Sequence, residues 1–457
     1  MSGSNDTGED GKVPASHVEL ALTMSQKAGS DDTHQVALEN LQTAGTDVVF
    51  ELQAGMINQA IQTIGMGKYQ WHLFIMAGFG WLIDQLWSAS ISNALSIMAM
   101  EFNPERPAFL VVSLSTGLTL GASFWGVGAD LIGRRWAWNL TLLIACVSGL
   151  CIGAVNSWVA ACSLAAVCGF GIGGNLPVDS TVFLEFLPGT HQYLLEILTI
   201  WWAVGQFIPA FASWGFLPNF SCSESTPAGE CRREDNMGWR YLFFLMGGLT
   251  LIGWICRFFL FKLYESPKYL ASLGRYEEAI EVLNAISEYN GGPERQSLSV
   301  DDLRNAEQVS RETRERNAHV KRAFAHLGPQ GWKNIRSLWS TRKLAWSFFL
   351  IMVLWGMVGM ANPIYNSFLP VYLKIHGAAA GDGSTATTYR NLVVTIACTI
   401  PGTILSGYLI TLKRVGRKGT LGISLLLTGA FLFAFTSART EGTILAFNCI
   451  ISFTQFM

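Results

Sequence analysis

Asp84 stands near the middle of a long apolar run, in Gly80-Trp-Leu-Ile-Asp84, and Asp179 stands in another, behind Gly171-Ile-Gly-Gly-Asn-Leu-Pro-Val. If these runs cross a bilayer, each acid costs about 2.5 to 3.5 kcal/mol at mid-depth on insertion scales, so it persists where it faces a polar cavity or a partner. Asp84 is the best candidate for a group that loads and releases a proton as such a cavity alternates between sides; a structural hydrogen bond to Ser88 or to a neighbouring helix is the alternative. Asp179, two helical turns inside Glu185, reads as a partner for that site, a contact for a cationic ligand, or a structural acid. Gln206, after Gly205, and Asn362, Tyr365 and Asn366, around Pro363, add polar atoms to two further apolar runs. Trp81, Trp87, Trp201 and Trp202 could stack on a flat or cationic ligand, although most tryptophans in membrane helices serve packing or the interfacial belt.

The elements that must carry these residues follow from composition. Of the 457 residues, 50% are hydrophobic and 14% charged, against about 25% charged in a soluble domain. The solvent is therefore lipid. Net charge is -2, which leaves no global basic field for nucleic acid. No His-Glu-x-x-His, Gly-Lys-Ser/Thr or Gly-x-Ser-x-Gly motif is present, so the sequence supports neither an enzyme nor an ATP-driven pump. The nine cysteines show no metal-type spacing, and no metal or cofactor is expected.

A bilayer core of about 30 Å needs about 20 apolar helical residues. Such segments fall at about 71–97, 107–128, 136–155, 158–186, 191–217, 239–262, 344–373, 389–412, 419–437 and 443–457. A polar break at about 263–343 contains an amphipathic helix around Leu270 to Ile286 and reads as a soluble hinge. Residues 1 to about 45 lack an apolar period and are expected to be disordered. The spacing of Val48, Leu52, Met56, Ile57, Ala60 and Ile61 then predicts an amphipathic helix lying at the membrane surface.

Arg134 and Arg135, the basic run ending at Arg417 and Lys418, and the Arg-rich break all fall on one side if each segment crosses once. The positive-inside rule makes that side, and the N-terminus, cytoplasmic. The same count puts Cys222 and Cys231 outside, nine residues apart in a polar loop beside the Asn219-Phe220-Ser221 sequon. A disulfide and a glycan on Asn219 are expected there; two free thiols and an unused sequon are the alternative. Arg257, near the inner end of the sixth segment, is expected to snorkel to the interface. Glu196 is expected to pair with an interfacial base, and His191 to cap a loop.

The stretch Gly126-Val-Gly-Ala-Asp130-Leu-Ile-Gly133-Arg134-Arg135 resembles the loop signature after the second helix of the major facilitator superfamily. A degenerate copy ends at Gly416-Arg417-Lys418, as duplicated bundles require. Gly238-Trp239-Arg240, Glu265-Ser266-Pro267-Lys268 and the glycine run of the fourth segment narrow the resemblance to the sugar porter family and its synaptic-vesicle-two-related, nicotinate-permease-like subgroup. The resemblance implies an all-α integral membrane protein with a six-helix N-terminal bundle and a partial C-terminal bundle, nine to ten of twelve helices. It divides the chain at 1–66, a cytoplasmic tail with the amphipathic helix; 67–262, the N-terminal bundle; 263–343, the central loop; and 344–457, spans seven to ten. Asp130, Gly133, Arg134, Arg135, Glu185, Arg240, Glu265, Gly416, Arg417 and Lys418 become candidates for a conformational latch. Asp84 takes the place of the proton-coupling aspartate, and Gln206 that of a ligand-binding glutamine.

Two departures bear on the substrate. Ala165 stands where the pattern puts an arginine on span four, and the paired glutamines of span seven are missing, with Gly356 and Met357 nearest. Each buried hydroxyl left unpaired costs about 1 to 3 kcal/mol, so this thin polar supply argues against a simple sugar. The expectation is a secondary transporter, proton-coupled or facilitative, for an organic acid, a nicotinate-like compound or, less well, a sugar. Its partners are lipid, that solute and protons. It would sit in the plasma membrane, or in a vacuolar or vesicular membrane of the same topology. Because the chain stops inside a tenth apolar segment, a non-transporting receptor or scaffold, or a nonfunctional truncated carrier, are the alternatives.

Overall fold

The computed structural model describes residues 48–223, 226–227, 229–292, 298–306, 342, 345–361, 384–412, 414–438 and 440–457. These form two compact units, 48–64 with 267–352 and 65–266 with 353–457. Described residues are helical or in turns, and none is in a strand.

The first unit contains the amphipathic helix Val48–Ile64. Its apolar stripe of Ile57, Ala60 and Ile61 is buried against Ala271, Tyr276, Leu283 and Leu303 of the central segment. Helices Pro267–Ser272 and Tyr276–Tyr289 supply most of that surface. Gln53 donates to the Tyr276 hydroxyl (3.2 Å) and to the Leu303 carbonyl (3.0 Å). An apolar stripe of this width is satisfied equally by lipid or by a protein groove, and here the central segment provides the groove.

In the second unit, span one is Lys68–Phe102, 35 residues, about 52 Å at 1.5 Å per residue. Spans two and three are Phe109–Ile132 and Arg134–Ala154. Span four is broken at Gly173-Gly174 into Trp158–Ile172 and Asn175–Phe186. Span five is Ile200–Phe216, preceded by the short turn Leu194–Ile197. Span six is Gly238–Ile255, prolonged by a π-helical turn, Cys256–Leu260. The described part of span seven is Ala345–Ala361. Span eight is Thr385–Ala397 and Thr399–Thr411, span nine Gly416–Phe435 and span ten Glu441–Gln455.

Among the described residues seven helices are long and apolar enough to cross a membrane. Span one falls outside that set by hydropathy, not by length. It carries Asp84, Gln85, Ser90 and Asn93 on faces turned to other helices.

Without a hydrophobic drive between helices in lipid, close backbone approach at small residues holds the spans together. Gly117 and Gly121 of span two lie against the carbonyls of Ala166 and Phe170 in span four, and Gly169 and Gly173 of span four against those of Leu114 and Leu118. A methyl at any of the four would strike backbone. Gly171 faces Thr141 and Ala145 of span three, and Gly174 the Trp125 ring. The glycine run is thus committed to helix packing.

A buried carboxylate and ion-pair cluster in the N-terminal bundle

On span one, Gly80 and Asp84 are one helical turn apart and share a face. On the second piece of span four, Asn175 and Asp179 are also one turn apart, and the two pairs meet. The Asn175 side-chain amide donates to Asp84 Oδ1 (2.9 Å) and to the Gly80 carbonyl (3.4 Å). The Ser88 hydroxyl donates instead to the backbone carbonyl of Asp84 (2.8 Å), so it does not hold the carboxylate. Asp179 forms an ion pair with Arg257, and both side chains are fully buried.

Arg257 is the largest departure from expectation. It does not snorkel. The π turn at Cys256–Leu260 closes span six, and from it the guanidinium runs inward over the Trp138 ring of span three, 3.5 Å from its centroid. A cation on an aromatic face in a desolvated site gains about 2 kcal/mol. The signal was present in the sequence: Arg257 continues the buried stripe Phe243, Met246, Thr250 and Gly253 at three- and four-residue spacing. Position near a span end outweighed that stripe in the snorkelling expectation.

Gly80 makes the cluster possible. A Cβ there would collide with Asp179 Oδ2 and lie 3.2 Å from Arg257 Nη1. The ion pair therefore fills a notch in span one. Ala165, where a span-four arginine was missing, is fully buried in the core, and the cation beside the two acids is delivered from span six instead.

A second polar layer joins spans one and five. Gly205 lies against the Leu82 carbonyl, and Gln206 Nε2 donates to Gln85 Oε1 (2.9 Å). One turn away, the Trp81 and Trp202 rings lie 5.0 Å apart, and neither indole N–H has a partner among the described residues. Gln85 escaped the sequence reading, although Trp81/Gln85 and Trp202/Gln206 repeat the same four-residue spacing on two helices. Trp201 covers Gly78, and Trp87 packs over Gly149 and donates to the Thr250 hydroxyl (3.1 Å). Further along, Asn93 donates to the Ser213 hydroxyl (3.1 Å), and the Tyr389 hydroxyl of span eight donates to the Asn93 carbonyl (2.6 Å). Asn362, Tyr365 and Asn366 lie outside the described residues.

The latch candidates separate into two groups. Where span two gives way to span three, Glu265 accepts from the backbone N–H groups of Arg134 (3.2 Å) and Arg135 (3.5 Å), and span three's N-terminus there carries partial positive charge. Gly133 makes the corner with φ +98°. The Arg134 guanidinium pairs with Glu185, which joins spans three and four. Asp130 lies on the last turns of span two; its side chain is outside the described residues. In the second copy Gly416 has φ +58°, Arg417 and Lys418 are exposed, and Arg417 acts electrostatically on Glu196. His191 bonds to the Thr190 hydroxyl through Nδ1 (2.8 Å) in a loop turn.

Arg240 does not belong with that group. It begins span six, at the other end of the helix from Glu265, and binds both oxygens of Glu101 (2.7 and 2.9 Å) and the Val155 carbonyl (3.3 Å). Glu101 also accepts from the Trp239 indole (2.9 Å) and the Asn236 amide (3.0 Å). In the adjoining loop Cys222 and Cys231 form a disulfide with Cα atoms 6.0 Å apart. Asn219 is exposed, its amide donating to the Gly215 carbonyl (2.8 Å).

Ten helical segments, a signature loop repeated between spans two and three and spans eight and nine, and a charged cluster buried among the first six define a solute carrier of the alternating-bundle type. The chain belongs to the Major Facilitator Superfamily, whose profile matches residues 73–457. It is 46% identical to the MFS siderochrome iron transporter 1 of Ceriporiopsis subvermispora over 89% of this chain and 77% of that one. It is 27% identical to the niacin transporter NiaP of Acinetobacter baylyi over 86% of this chain and 78% of the relative, and 26% identical to the synaptic vesicle 2-related protein of Xenopus laevis over 86% and 64%. The fold is shared with the xylose transporter XylE from E. coli, with TM-score 0.59 and 15% identity over 85% of this chain and 82% of that one. The protein is a multi-pass membrane transporter.

Proposed function

We propose that this transporter is a proton-coupled carrier of a small organic acid, nicotinate-like in size, with Asp84 as the group that loads and releases the proton. The observation that carries the reading is the buried constellation of two carboxylates and one guanidinium. With Asp84 and Asp179 both ionised it holds one net negative charge in a water-poor bundle; with Asp84 protonated it is neutral. A buried uncompensated charge is costly, so the ionised cluster resists reorientation and the protonated cluster does not, which ties the conformational cycle to the proton. Asp84, whose carboxylate accepts from Asn175 among the described residues, is the group that exchanges its proton, whereas Asp179 is committed to Arg257.

Recognition of a flat acid is supported by the Trp81 and Trp202 rings with their unpartnered indole N–H groups and by the Gln85/Gln206 amides one turn away. A hexose would ask for more hydroxyl partners than this layer offers. The siderochrome transporter relative favours a second cargo, a ferric siderochrome, which the same assay separates. The N-terminus is cytoplasmic in this reading, and the plasma membrane is its site.

The test is uptake into proteoliposomes of labelled nicotinate, a hexose and a ferric siderochrome under an imposed proton gradient. Gradient-driven nicotinate accumulation is expected, and Asp84→Asn should abolish it while sparing exchange of nicotinate across the membrane. Unchanged accumulation in the variant rejects the role of Asp84; a flat nicotinate signal beside a hexose or siderochrome signal rejects the substrate class.

A further inference from the structure

Spans eight and ten lie side by side in a single register. Arg390 and Asn391 of span eight donate to Glu441 of span ten (3.4 and 3.1 Å), and Arg390 and Glu441 are 51 residues apart. Gly402 meets Phe453 at the same offset. A Cβ on Gly402 would stand 2.3 Å from the Phe453 carbonyl oxygen and 3.3 Å from its Cα, so the two Cα atoms are within about 5 Å of each other. Cys398 and Cys449 share that offset and lie one helical turn from this close approach. On span eight, Asn391, Thr395, Cys398 and Gly402 follow one another at four-, three- and four-residue spacing, which keeps them on the face turned to span ten. The two thiols meet there and are hydrogen-bonded to each other. Cys398 is also the break in span eight: Thr385–Ala397 ends before it and Thr399–Thr411 begins after it, and its N–H turns to the Thr395 carbonyl, three residues back (3.2 Å).

Both cysteines are half-buried, so a small molecule can reach them. Cys146 and Cys168 differ: both are fully buried, and each donates to a backbone carbonyl, that of Gly247 (3.8 Å) and of Ala145 (3.9 Å). Two sulfurs that meet across a helix pair can hold one soft centre between them. Depth selects which. The pair stands about 12 Å along span eight from the Arg390–Glu441 bond at 1.5 Å per residue, within the apolar length of the helix, where an uncompensated charge is costly. A monovalent soft cation between two thiolates would leave a net charge there, whereas a trivalent arsenical, R–As=O, arrives neutral and leaves a neutral product. We propose that Cys398 and Cys449 are a dithiol site for trivalent arsenicals. In the step both S–H bonds and the As=O bond break, two As–S bonds form, and the oxygen departs with the two protons as water; arsenic stays trivalent, and nothing is oxidised or reduced. An occupied site staples the break in span eight to span ten.

The test needs no solute. Phenylarsine oxide is the probe, added to the purified full chain in lipid nanodiscs. The intact mass should rise by one probe less one water, and both Cys398 and Cys449 should lose their labelling by a maleimide, read residue by residue from peptide masses. A monothiol should leave this adduct in place and a dithiol should strip it, because a single As–S bond exchanges readily and a two-sulfur chelate does not. Cys398→Ser and Cys449→Ser should each abolish the monothiol-resistant adduct, and Cys146→Ser should keep it. If a serine variant does not fold, the peptide masses of the unsubstituted chain decide alone. No monothiol-resistant adduct on that chain, an adduct that protects Cys146 and Cys168 instead, or one that survives substitution of either Cys398 or Cys449, overturns the site.

Discussion

Gly80→Ala puts a methyl in place of a hydrogen on span one at a point where the buried ion pair leaves no room. The new Cβ would collide with Asp179 Oδ2 and press on Arg257 Nη1, while both residues are held from behind, Asp179 by its own helix and Arg257 by the Trp138 ring. If the pair shifts intact, the cost is that of overpacking, about 1 to 3 kcal/mol. If it separates, the cost rises to about 3 to 5 kcal/mol, because a buried charge loses its partner. Gly248, also in a membrane helix and with nothing near its missing side chain, supplies the control. There the same substitution should be neutral or stabilising by up to about 1 kcal/mol, since glycine in a helix carries an entropic cost that alanine does not. Reversible unfolding in mixed micelles compares the two. At about 3 kcal/mol, Gly80→Ala lowers the folded-to-unfolded ratio roughly a hundredfold relative to wild type, and gradient-driven accumulation should fall with it. Equal stability of the two variants, with transport intact, refutes the notch.

Other expectations are independent of that cluster. Glu101→Gln should cost about 3 to 5 kcal/mol at neutral pH, because it leaves the buried Arg240 guanidinium without its anionic partner; reversible unfolding checks it, and equal stability contradicts the Arg240 clamp. Cys222 and Cys231 should react with a membrane-impermeant maleimide added outside only after reduction. Asn219→Gln should abolish any mobility shift produced by deglycosylation, and a shift that survives it places the glycan elsewhere.

Much of the architecture was readable in the residues because in lipid the membrane thickness sets a single length for every apolar helix. The ten segments therefore stood out, as did the loop repeat that marks two related halves. Asp84 was legible for the same reason: a lone carboxylate in an apolar run has few explanations. The breaks in span four at Gly173-Gly174 and in span eight near Cys398 were not, since both lie in apolar sequence and are set by neighbouring helices. The amphipathic stripe of Val48–Ile64 predicted a buried face correctly but not what buries it. Arg240 and Arg134 share a family signature yet sit at opposite ends of the bundle, each claimed by a different glutamate.

Chain length, hydrophobicity and charge placement, each a property of residues taken along the chain, settled that this is an all-helical membrane protein and which acids sit in its spans. Which groups those acids meet depends on helix faces turned together from positions some 80 to 95 residues apart, as for Asp179 with Arg257 and Asp84 with Asn175. No spacing rule along one helix reports such a meeting. Packing around Gly80 and the Trp138 ring decided it, by leaving room for a guanidinium to be buried beside two carboxylates.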